Sequence, residues 1–182
     1  MFRLFQISLI TIFLIFLLSC GSFSKSDKKT DGSESFTSQE PKREIVLLYP
    51  GSDQLLHPYK SFIENKDNNS SELEEVAREY LNLNPSSDLV NPFPQNTKLR
   101  AVYFVGEDRA VVDFYSMASD GGGAEEETFR IYGIINTINF NFPEIKAVKI
   151  IVEGQEKETF MGHVDISNFI PPEPSLNGKE IQ

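Results

Sequence analysis

The only cysteine of the 182-residue chain, Cys20, stands at the end of an apolar run, and this limits what the rest can be. One cysteine closes no intrachain disulfide and builds no all-cysteine metal site. Whatever folds must therefore be held by a hydrophobic core. Hydrophobic residues at 40%, with 15 Phe, are enough to supply one. Ahead of the cysteine, Arg3 sits just behind the amino terminus, and Ile7 to Leu18 is apolar apart from Ser8 and Thr11. An apolar run of about 7–15 residues after a basic start reads as an export signal, whereas a spanning helix needs about 20. A short uncleaved anchor is the alternative reading.

The residues that follow favour cleavage. Leu17-Leu18-Ser19-Cys20 resembles the bacterial lipobox, in which a small residue precedes an invariant cysteine. In lipoproteins with this pattern the thiol receives a diacylglycerol, and cleavage leaves the cysteine as the new amino terminus. Two acyl chains on Cys20, palmitate among them, are the two signals that stable anchoring needs, at about 0.8 kcal/mol per buried CH₂. The expectation is a signal peptide over 1–19, then a lipidated cysteine and a linker over 20–44. Of the 24 residues from 21 to 44, six are serine and ten are charged, five of each sign. That composition cannot bury enough surface to offset its ordering entropy. Ser22 and Lys25 match a Ser-x-x-Lys nucleophile by letters alone, with no oriented base.

A folded domain is expected over 45–170, with a loose proline-rich tail over 171–182. Ile45 to Tyr49 reads as a strand ended by Pro50-Gly51, and Leu55 to Ile63 as a short second strand broken by Pro58. Ser71-Glu72-Leu73-Glu74 has the form of a capping box. Leu73, Val76, Ala77, Tyr80 and Leu81 follow at helical spacing, and Asn84-Pro85 ends the helix. Leu99 to Val105 and Arg109 to Tyr115 form a hairpin around Gly106-Glu107-Asp108, the second strand having one inward and one mixed face. After Gly121-Gly122-Gly123, Ala124 to Phe140 reads as a second helix with a stripe of Ile131, Ile134, Ile135 and Ile138. Gly133 inside it permits close approach to the sheet. Ala147 to Val152 is a strand, and a last short one is expected around Thr159–Met161. The fold class is α+β, two amphipathic helices on a small mixed or antiparallel sheet.

From Ile45 to about Ile170 the chain resembles the GerMN domain of spore-germination and sporulation lipoproteins. Three blocks carry the likeness. Pro94-Gln95-Asn96-Thr97-Lys98-Leu99 leads into Ala110-Val111-Val112-Asp113-Phe114. Gly121-Gly122 precedes the isoleucine helix, which closes at Phe142-Pro143. Val148 to Gly154 runs on to Gly162-His163-Val164-Asp165-Ile166. The resemblance implies extracytoplasmic placement and a non-enzymatic role in envelope or sporulation-associated assemblies. Some family members carry two such domains, and a single copy is visible here. The family also occurs in bacteria that do not sporulate, so a sporulation role does not transfer automatically.

Few residues suggest other chemistry. Lys and Arg number 17 against 27 Asp and Glu, a formal charge of -10, which disfavours nucleic acid. Gly121 to Gly123 could cradle an anion, but Glu125, Glu126 and Glu127 crowd the same turn and no P-loop lysine follows. Asp67-Asn68-Asn69 lacks the remaining residues of a calcium loop. His163 beside Asp165 could form half a metal or acid–base pair, with His57 far off in sequence; structural roles are the expectation for both. Asp113 with Asp120 or Glu125 could act as paired carboxylates on glycans, but no sugar-cleaving motif accompanies them. The expectation is therefore no catalytic residue, no metal site and no cofactor, with Cys20 the one modified position. The favoured reading is a membrane-anchored interaction or assembly module of the cell envelope, contacting a partner protein, itself or the wall. Inner and outer membrane are left open. The alternative is a small peptidoglycan-modifying or ligand-binding envelope lipoprotein.

Overall fold

The computed structural model describes residues 41–85 and 88–181. The expected signal peptide, Cys20 and most of the linker lie outside them. The fold is α+β, as expected, but its strands form two sheets. Strands β1 (Lys42–Pro50) and β2 (Leu56–Glu64) make an antiparallel hairpin. β3 (Leu99–Val105), β4 (Arg109–Phe114) and β5 (Ala147–Val152) make a mixed sheet. β3 runs antiparallel to β4, and β5 lies parallel to β4. Between β4 and β5 the chain forms helix α2 (Ala124–Asn141), because a parallel pair needs a long crossover. Helix α1 (Asn69–Asn82) follows β2 and buries Leu73, Val76, Ala77, Tyr80 and Leu81, the predicted stripe.

Pro58 does not break β2. It pairs with Leu48 in an unbroken register, since a two-stranded sheet has open edges where a missing N–H is tolerated. The edge of β1 is closed by α2 instead of by a third strand. Thr137 Oγ1 accepts from Leu48 N at 2.9 Å. The Asn141 side-chain amide both accepts from Val46 N at 3.1 Å and donates to Val46 O at 2.7 Å. Polar side chains on the helix thus satisfy backbone groups that would otherwise be left open.

Other boundaries depart from the sequence reading for local reasons. Asn68, not Ser71, caps α1, its Oδ1 accepting from Ser71 N at 2.9 Å. Asparagine caps as well as serine, and starting earlier adds residues to the helix. Val111 and Asp113, assigned to a mixed face of β4, are both buried. The chain after β5 returns over that face: Gly154 N donates to Asp113, and the neighbouring Lys149 ammonium donates to Ser167 O. Around Thr159–Met161 there is no strand among the described residues, only a single bridge from Thr159 to Asp165 across a tight loop.

The segment from Pro171 is not a loose tail. Asn136 on α2 donates to Glu173 O at 2.9 Å and to Asn177 Oδ1 at 2.8 Å, and accepts from Glu173 N at 2.9 Å. Gly178 N donates to Leu56 O at 2.8 Å. A proline-rich polar stretch reads as loose only because its partners are far away in sequence.

Candidate functional site

Ionisable groups gather in the first two turns of α2. Glu127 is fully buried, and its carboxylate accepts four hydrogen bonds. The donors are Met161 N at 2.6 Å, His163 N at 2.9 Å, Val164 N at 3.0 Å and His163 Nδ1 at 2.8 Å. Burial pushes this carboxyl up, but the donors outweigh it and hold it below the usual glutamate value. Arg130, one turn later, is 2% exposed. It donates to Pro92 O at 2.8 Å, Ala118 O at 3.0 Å and Asp120 O at 2.9 Å, and pairs with Glu126. One helix face therefore ties together three separate loops.

These bonds shape a groove. Asn91 donates to the carbonyls of Tyr80, Leu81 and Leu83, which the end of α1 leaves open, and accepts from Phe93 N. Val90 N donates to Pro50 O at 3.1 Å. The 88–94 segment is thereby fixed to α1, β1 and, through Arg130, α2. Between this segment, the β1–β2 turn and the start of α2 lies a groove of about 520 Å³. Phe93, Phe129 and three prolines line it, and Val90, 62% exposed, stands at its margin. Asp88, Glu125 and Glu126 line it too. A second hollow of about 410 Å³ shares Gly51, Ser52 and Asp88, and adds Asp53 and His57.

The sequence candidates do not assemble into a reaction centre. Asp113 bonds Arg100 at 2.7 Å and accepts from Gly154 N at 3.0 Å. Glu125 instead accepts from Gln54 at 3.2 Å, while the Asp120 carbonyl serves Arg130. His163 pairs with Glu127 and not with Asp165, which accepts from Ser167. Among the described residues no cluster of His, Cys, Asp or Glu is arranged to hold a metal ion. Sequence reasoning missed Glu127, Arg130 and Asn91.

His57 lies between two carboxylates. Its Nε2 meets Asp53 at 2.8 Å and its Nδ1 meets Glu180. A neutral imidazole has one donor and one acceptor, so it cannot donate to both; the arrangement requires the cation. Asp53 first, then Glu180, raise the His57 value above its ordinary 6.5 against a smaller opposing effect of burial. The stabilisation is therefore complete below about pH 6.5 and is lost as pH rises through the raised value. We expect the corrected amide-exchange protection of Gly178 to fall several-fold between about pH 6 and pH 9, and His57→Ala to abolish that pH dependence.

The model of the Germane family, described as sporulation and spore germination, matches residues 47–158, more than half of the chain. The chain belongs to the Germane family. No curated protein sequence matches it. Solved structures are similar to it, among them the following three. A candidate lipoprotein from Clostridium perfringens is 22% identical at a TM-score of 0.53, over 75% of this chain and 93% of that one. The first GerMN domain of the sporulation protein GerM from Bacillus subtilis is 18% identical at 0.55, over 71% and 97%. The tandem GerMN domains of GerM are 17% identical at 0.56, over 72% of this chain and 46% of that one. At these identities the likeness establishes the fold. The residues that carry the sequence resemblance, some within the matched Germane segment and some just beyond it, make turns and loop contacts. Thr97 folds back on Pro94 O through both its N–H and its hydroxyl. Asp113 holds the Gly154 turn, and Gly162, at φ 109°, lets the next loop close over Glu127.

Proposed function

We propose that this Germane-family protein is a lipid-anchored, extracytoplasmic interaction module of the cell envelope that works by contact and not by catalysis. The observation that carries the reading is a Germane domain standing behind the Leu17-Leu18-Ser19-Cys20 lipobox, across a serine-rich charged linker. Its geometry supports the same reading. Glu127, Arg130 and Asp113, the buried groups best suited to chemistry, are each engaged in holding loops in place. The peptidoglycan-cleaving alternative would need Asp113 free to face a sugar, and it is tied to Arg100 and Gly154.

The anchor is tested directly. Mass spectrometry of protein isolated from membranes is expected to show Cys20 as the amino terminus, carrying a diacylglycerol. Cys20→Ser is expected to abolish that processing and leave the precursor with its signal peptide attached. An intact Met1 with an unmodified Cys20 thiol in the native protein would overturn the reading. The contact role is tested by crosslinking in cells, where capture of a defined envelope protein or of a second copy is expected.

A further inference from the structure

We propose that the groove between the 88–94 segment, the β1–β2 turn and α2 docks a short basic segment bearing an apolar side chain, supplied by a partner protein. This inference rests on the interaction-module reading and names the class of partner. Two observations specify the occupant. The groove is apolar and already formed: Phe93 and Phe129 line it beside Val90, and Asn91 and Arg130 fix its wall by hydrogen bonds. A preformed apolar groove loses little conformational entropy when filled, so a modest contact area can bind. The second observation is charge. No Lys or Arg lines the groove or the adjoining hollow, whereas Asp53, Asp88, Glu125 and Glu126 do.

Not all of those acids are available. Glu126 is paired with Arg130, and Asp53 with His57. Asp88 and Glu125 are exposed and make no ion pair among the described residues; the Glu125 partner, Gln54, is neutral. Two uncompensated negative charges beside an apolar surface, on a chain of net charge -10, repel acidic segments and steer basic ones. An apolar side chain of the partner would rest on the exposed Val90, over the edges of the buried Phe93 and Phe129, with cationic groups on either side meeting Asp88 and Glu125.

The test uses the full-length protein in nanodiscs of zwitterionic lipid, with empty discs as the blank. The probe is a fluorescent eight-residue peptide alternating lysine and leucine, compared with its glutamate-for-lysine counterpart. Saturable binding of the basic peptide is expected, with the acidic one at least about tenfold weaker. Raising salt from about 0.05 M to 0.5 M should weaken binding severalfold. Asp88→Lys with Glu125→Lys should weaken it by about tenfold or more, and Val90→Ser severalfold. Glu107→Lys, on the β3–β4 turn, should leave it unchanged.

Absence of saturable binding, equal affinity for the acidic peptide, or an equal loss from Glu107→Lys overturns the proposal. Crosslinking in cells separates the two readings. If the Asp88→Lys, Glu125→Lys protein still captures the wild-type partner, the module stands and the groove assignment fails. If neither protein captures anything, the module reading fails with it.

Discussion

Gly133→Ala is expected to destabilise the domain by about 2 kcal/mol, although alanine is the better helix former by about 1 kcal/mol. A Cβ at this position would lie 2.2 Å from the Tyr80 hydroxyl. Tyr80 cannot swing away. It is fully buried, stacked on Tyr49 at 4.6 Å between ring centroids and edge-on to Phe93 at 6.1 Å. The same hydroxyl has no hydrogen-bond partner among the described residues, and a buried unsatisfied polar group costs about 1–3 kcal/mol. Tyr80→Phe alone should therefore be neutral or stabilising by up to about 1 kcal/mol. Combined with Gly133→Ala it removes the closest contact and leaves the ring carbon at 3.2 Å, so most of the lost stability should return. Urea denaturation of the four proteins checks this. Additive effects, with no recovery in the double variant, would show that the close approach of α1 and α2 does not depend on this glycine.

The second large effect is expected at Glu127. Glu127→Ala leaves the N–H groups of Met161, His163 and Val164 without their acceptor and should cost about 3 kcal/mol. The His163 ring, about half exposed, contributes little of this. Glu127→Gln keeps the shape but turns one end of the group into a donor facing donors, at about 2 kcal/mol. Because the folded carboxyl sits below its ordinary 4.5, its contribution is complete above that pH and is lost as pH falls through the lowered value. Denaturation curves recorded from about pH 7 down to pH 3 should show the acid loss of stability shrinking in Glu127→Gln. An unchanged acid limb would mean that other carboxylates govern acid unfolding.

Periodic segments were legible in the sequence. Helix α2 was predicted to end within one residue of where it does, and β5 has its predicted bounds; Gly133 was read as a close approach to the sheet, whereas its nearest neighbour is the Tyr80 hydroxyl on α1, with Leu48 O of β1 farther off. Cap and tail were not, because their bonds join residues far apart or offer two equivalent starts. Asn68 and Ser71 are both good caps, and Asn68 takes the role by accepting from Ser71 N. Pro171 to Gly178 looks featureless until Asn136 and Leu56 are placed beside it. The buried ion groups were hidden by a run of three glutamates that reads as favourable charge at a helix start. One signal was there to be used. Glu127 stands four residues before Ile131 and seven before Ile134, and Arg130 four before Ile134, so both lie on the apolar stripe. A charged residue on such a stripe is either buried with partners or misassigned. The groove had no signal of its own, because it is built by three segments whose meeting is a tertiary event.

The way α2 closes the edge of β1 sets a timetable for biosynthesis. Leu48 waits for Thr137, 89 positions later. At about 5–20 residues per second, the hairpin is made roughly 4–18 s before the helix that completes it. Residues 173–178, which latch onto Asn136 and Leu56, come later still. The nascent polypeptide thus holds a half-built, sticky intermediate until residue 178 has been made. A chain with this schedule remains threadable while it is being synthesised.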